Sequence, residues 1–111
     1  MRQATRRAER TAARLIARDG PGALDDPGLA AGQDAIRTYR DDGSLRPDAR
    51  YAWLALALIR LPIRDDAWAR TDPVHRHEHL RLWTDIVRRA QPGYVAAPAS
   101  LCCLVALCVR P

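Results

Sequence analysis

Apolar and polar positions along the chain fall into helical periods, and runs that alternate as strands do are nearly absent. Residues 2–18 are rich in Ala and Arg with no breaker, and DGPG at 19–22 then stops them. A loop of Gly, Asp and Pro is expected to Gly28, followed by a second helix over 29–41, LAAGQDAIRTYRD, in which Ile36 and Tyr39 are the large apolar groups. Asp42-Gly43-Ser44 breaks it. Pro47 suits the first position of a third helix, where its missing N–H is not needed. That helix runs to Ile59 and is apolar nearly all round from Tyr51, so it should lie centrally, and Pro62 ends it. Residues 64–70 read as a short helical turn. Thr71 or Asp72 then caps a fourth long helix with Pro73 in its first turn. Leu80, Trp83, Val87 and Ala90 step by three and four along it, and Leu82 and Ile86 widen that stripe. Gln91-Pro92-Gly93 stops it, and Pro98 opens a last helix. The expected fold is all-α, a small bundle or hairpin array of about five helices with no sheet. Its parts are a detachable basic helix at 1–19, a loop at 20–28 and a helical domain at 29–111.

Composition thins this picture. Of 111 residues 48% are hydrophobic, but 20 of those are Ala and none is Phe, so little large apolar volume is left for a core. Such a core is marginal unless helices pack closely or a partner covers an open face. The net charge is +5, and all 18 cations are Arg. Codon bias in a GC-rich genome yields Arg without Lys, which discounts any inference from basicity alone. The charge is also uneven: residues 1–19 hold six Arg against Glu9 and Asp19, for +4, which leaves +1 for the other 92 residues. No leader with an apolar core follows the Arg-rich start. The apolar runs AWLALALI (52–59) and LCCLVALCV (101–109) fall short of the roughly 20 residues of a membrane span. Cys102, Cys103 and Cys108 lie within seven residues, which is no disulfide framework and fits reduced thiols. A soluble cytoplasmic protein, with no membrane contact, is expected.

The densest chemistry is RDDAWARTDPVHRHEHLRLWTDIVRR (64–89). His75 and His79 are four residues apart, the spacing with which one helical face presents two zinc ligands. A tetrahedral site lacks further ligands here, and HRHEH is not HExxH, because Glu78 sits between His77 and His79. His75 and His79 remain the candidate metal residues, against a solvated polar face in the helix's first two turns as the expectation. Asp65 and Asp66, being adjacent, cannot face one substrate together. They fit the start of a short helix, where carboxylates satisfy free N–H groups, and Arg64 can pair with either. Trp68 and Trp83 are core anchors and candidate packing partners. No phosphate loop, nucleophile elbow or Cys–His pairing is present, so no catalytic residue and no cofactor is assigned, and the reading leans away from an enzyme.

Two interaction readings compete. Arg2, Arg6, Arg10, Arg14 and Arg18 recur every four residues with Arg7 beside them. Such a row drifts by about 40° per step around a helix and could follow a phosphate backbone, releasing counterions, although Glu9 offers an internal partner and no aromatic interleaves. Residues 101–109 are apolar on every side, so an uncovered outer face is expected there, and such a patch normally marks an interface. Contact with a protein partner, or self-association, through 101–109 is the leading reading. Nucleic-acid binding is the alternative, and an enzyme whose catalytic groups lie in another segment is third.

A resemblance rests on specific residues. Arg64, Asp65, Ala67 and Trp68, then His79-Leu80 and Leu82-Trp83, Val87-Arg88-Arg89, and Ala97-Pro98-Ala99-Ser100-Leu101 resemble the C-terminal portion of the actinobacterial domain of unknown function 4192 (DUF4192) family. RRAERTAARL and YRDDG resemble it more loosely, so that residues 4–101 are covered. The resemblance makes Arg64, Asp65, Trp68, Leu80, Trp83 and Pro98 a structural signature and implies a helical architecture of uncharacterised function. Family members continue into a Gly-containing turn and further helices resembling a tetratricopeptide-type hairpin. CCLVALCVRP departs from that pattern after Leu101, which implies a fragment or a frameshifted reading frame.

Overall fold

A computed structural model describes residues 1–45 and 47–108. Six α-helices follow one another: α1 (Arg2–Asp19), α2 (Asp25–Asp41), α3 (Asp48–Ala57), α4 (Leu61–Ala69), α5 (Arg76–Arg89) and α6 (Ala96–Cys108). Single 3-10 turns at Pro21–Leu24, Pro73–His75 and Pro92–Tyr94 lead into α2, α5 and α6. Among the described residues there is no strand, and no helix is long and apolar enough to cross a membrane.

The expectation of five helices undercounts by one, because α4 is a full helix rather than a turn. α3 stops at Ala57, short of the expected Ile59 and not at Pro62; Pro62 instead stands in the first turn of α4, where its absent N–H leaves no gap. The same reason moves the start of α2 back into the expected loop. Asp25 and Asp26 occupy its first turn and Pro27 the third position, so residues 25–28 are helical. Gly20 (φ 90°) and Gly43 (φ 77°) end α1 and the α2 turn in backbone that favours glycine.

α3 is central, as its apolar circumference demands: Tyr51, Ala52 and Leu54 to Leu58 are all buried. α2, α5 and α6 pack around it and around α4, with Tyr39, Ile63, Leu82, Trp83, Ile86, Leu101 and Val105 filling the interior. Gly28 lets α2 approach closely, since a Cβ there would collide with Ile63 Cδ1 and stand 3.3 Å from the Ala57 Cβ. Arg60, at the head of α4, grips Asp25 at the head of α2 with both Nε (2.9 Å) and Nη2 (3.2 Å). The guanidinium holds the Asp25 carboxyl below its ordinary pKa.

α1 lies on α3 rather than standing apart. Its inner face is Thr5, Ala8 and Ala12, packed with Leu24, Ala52 and Leu56 in a second, smaller cluster. Small side chains permit that close seat but bury little area each. Tyr94 adds a polar latch, its hydroxyl donating to Glu9; that hydrogen bond, and then burial, push the phenol pKa up to about 12. Glu9 is therefore engaged by Tyr94, not only a partner for the arginines around it.

Candidate interaction faces

Three surfaces gather the residues singled out from the sequence. The first is the face of α1. Arg2, Arg6, Arg7, Arg10, Arg14 and Arg18 are all exposed: the row drifts around the helix but stays on the side away from the Thr5, Ala8, Ala12 seat. Arg18 pairs with its neighbour Asp19 at 3.0 Å, and Arg14 reaches Thr11 at 3.5 Å.

The second is the His-bearing start of α5. Asp72 caps the preceding 3-10 turn, accepting from Val74 N–H at 2.9 Å, and its other oxygen meets His75 Nδ1 at 2.9 Å. His77 is exposed. The expectation of a solvated face fails at His79, which is 2% exposed and leaves both ring nitrogens without a partner. Burial first, and then the positive charge of Arg40, hold its pKa below the ordinary imidazole value. Both effects favour the neutral ring. His75 and His79 are not brought together with further ligands: among the described residues no three of His, Cys, Asp and Glu stand close enough to hold an ion.

Asp65 and Asp66 are corrected as well. With α4 starting at Leu61, they are mid-helix rather than at its head. Asp66 accepts from Arg70 Nε at 2.9 Å, one turn on, and Asp65 points to solvent. Trp83 is fully buried at the centre of the core, its indole N–H unpartnered, and Trp68 packs half-buried against the core's edge.

The third surface is α6. Ala97, Pro98, Leu101 and Val105 face inward against α4 and α5. On the opposite side Cys103, Leu104, Ala106 and Leu107 are exposed, Leu104 by 39% and Leu107 by 62%. Cys102 is half-buried near Thr84 Oγ1 (3.7 Å), and burial pushes its thiol pKa up. Val109 and the side chain of Cys108 lie outside the described residues. Elsewhere Ile16, Ile59, Leu61 and Val74 are exposed, single residues at element ends and turns.

Sequence reasoning missed one polar assembly. The Leu45 N–H donates to Tyr51 Oη (3.1 Å), Tyr51 donates to Tyr39 Oη (2.8 Å), and Tyr39 donates to Asp85 Oδ2 (2.6 Å). Burial and then the Asp85 carboxylate raise the Tyr39 pKa far above an ordinary phenol. Arg89, bonded to Asp48 at 3.3 Å, stands 4.5 Å from the centroid of the Tyr51 ring. The chain joins α2, α3 and α5 across the core, and no local pattern announces it, since its members lie 12 and 46 positions apart.

Packed helices with one arginine face and one apolar face define a small all-α protein. The chain belongs to the DUF4192 family: the family described as "Domain of unknown function (DUF4192)" matches residues 1–110. That match runs on through Cys102, Cys103 and Cys108, past the Leu101 at which the motif resemblance stops. No curated protein and no solved structure gives a significant match.

Proposed function

We propose that the chain is a non-enzymatic helical interaction module that docks to protein through the outer face of α6, a second copy included. The observation that carries this reading is the exposure of Cys103, Leu104, Ala106 and Leu107 together on a helix whose inner face is already used in the core. Leaving such side chains in water forgoes about 1.5–3 kcal/mol for each large one, which a partner would recover. The Arg-for-Lys composition and the free thiols of Cys102 and Cys103 support a cytoplasmic setting in an actinobacterium. Leu104→Glu with Leu107→Glu in one chain is expected to abolish self-association, or pull-down of a purified partner, while leaving helical content and melting temperature unchanged. Analytical ultracentrifugation of both chains checks it. A wild-type chain that sediments as a monomer and whose partner binding ignores both substitutions would sink the reading.

A second reading is favoured by the outward arginines of α1: a surface for nucleic-acid backbones. Retention on duplex DNA should then fall steeply with salt, with log K declining by about 0.9 per phosphate neutralised for each tenfold rise in salt. Replacing Arg2, Arg6, Arg7, Arg10, Arg14 and Arg18 by Gln should flatten that slope. Binding that persists unchanged after the replacement removes this reading.

A further inference from the structure

α2 and the turn between α4 and α5 face each other across an open cleft of about 430 Å³. Its α2 wall is Gln33, Ile36, Arg37 and Arg40, whose spacing of three and four places them on one helical face. Opposite stand Arg70, the residue that ends α4, and Asp72. Three arginine side chains thus line one hollow. Arg37 uses one Nη on Asp34 (2.8 Å) and Arg70 its Nε on Asp66 (2.9 Å). The other N–H groups of each fork stay available. Arg40 makes no hydrogen bond or close ion pair among the described residues, although its charge acts on the Asp72 carboxylate. The one carboxylate of the lining, Asp72, is already engaged by the Val74 N–H and by His75.

A second crevice, too narrow for a water molecule, adjoins the Ile36 and Arg40 wall and is closed by His75, Glu78 and His79. There His79, only 2% exposed, leaves both ring nitrogens unpartnered. A buried polar group without a partner costs about 1–3 kcal/mol, and proteins rarely leave one without a reason.

We infer that this cleft binds a small oxyanion, the phosphate or carboxylate group of a polar small molecule, held by Arg37, Arg40 and Arg70. Planar forked donors match two oxygens of such a group, and the three together supply the charge. The polar lining selects against a greasy ligand, and the volume lies within the range of about 300–1,000 Å³ usual for small-molecule sites. Nothing in this site belongs to α6, so it stands or falls apart from the docking reading.

Calorimetric titration with inorganic phosphate and, separately, with succinate tests it in a buffer free of other oxyanions. Saturable one-site binding is expected for at least one probe, and the tighter arm tells phosphate from carboxylate. Arg40→Gln, at an exposed position, should keep the fold and weaken binding at least about tenfold, the loss of a charge-assisted hydrogen bond. Arg88→Gln, the same charge change roughly 13 Å further along α5 than His79, should change affinity less than twofold. His79 provides a second readout. The charged groups facing its ring are Arg40 from α2, Asp72 and His75 from the turn, and Glu78 on its own helix. An anion against Arg40 offsets a positive charge, so the His79 titration midpoint, followed by NMR, should rise at saturating probe in wild type and stay fixed in Arg40→Gln. Absence of saturable binding by either probe, equal losses in Arg40→Gln and Arg88→Gln, or an unmoved His79 midpoint at saturation would each overturn the inference.

Discussion

Trp83→Ala is expected to lose about 3–5 kcal/mol of stability, the largest effect of any single truncation in this chain. Trp83 is the biggest fully buried side chain, and it sits where α2, α3, α5 and α6 converge on the core. With no Phe in the sequence and Ala supplying much of the apolar content, a close-packed core has little spare volume to refill the cavity. Against a total of about 5–15 kcal/mol for a small domain, that loss leaves a substantial unfolded population at physiological temperature. Trp83→Phe should cost far less, about 1–2 kcal/mol, because it keeps most of the ring and removes an indole N–H that has no partner. Urea denaturation followed by circular dichroism measures both. If Phe proved as damaging as Ala, the indole N–H would have to be satisfied after all.

The second large effect belongs to the tyrosine chain. Tyr51→Phe keeps the ring that Arg89 covers but strands the buried Leu45 N–H and takes a donor from Tyr39, so about 1–3 kcal/mol should go. Tyr39→Phe breaks the next link, and the two changes should not add. Once Tyr39 has no hydroxyl, the Tyr51 hydroxyl has less to lose, and a double-mutant cycle should give a coupling of about 1 kcal/mol. Strict additivity would show that the two hydroxyls act separately, each bonded to something other than its neighbour.

The helices themselves are legible in the chain. Ala-rich runs broken by Asp42-Gly43-Ser44 or Gln91-Pro92-Gly93 leave little else for the backbone to do. Their starts are harder to read, because a proline two or three residues inside a helix, as at Pro27 and Pro62, looks the same in sequence as a proline in a loop. His79 escapes notice for a subtler reason. The stripe of Leu80, Trp83 and Val87, widened by Leu82 and Ile86, already holds three of the four buried positions of α5, and His79, three, four and seven residues before Leu82, Trp83 and Ile86, lies within it. Its polar side chain, set among His75, His77 and Glu78, is what makes it read as solvated. The arginine cleft is partly visible, since Gln33, Arg37 and Arg40 share a face of α2. Its other half, Arg70 and Asp72, arrives only through the tertiary packing of α2 against α4.

α6 carries apolar residues around its whole girth, and that bears on how uniquely the chain settles into its fold. A helix with a polar side has only one way to sit; here the choice between burying Leu101 with Val105 and burying Leu104 with Leu107 rests on shape alone, between faces of similar hydrophobic worth. Thr84 beside Cys102 and the buried ring of Pro98 add to the present orientation, but neither is a strong directional bond. A turn of this helix about its own axis is therefore opposed by packing shape and not by a polar side that water would hold outward.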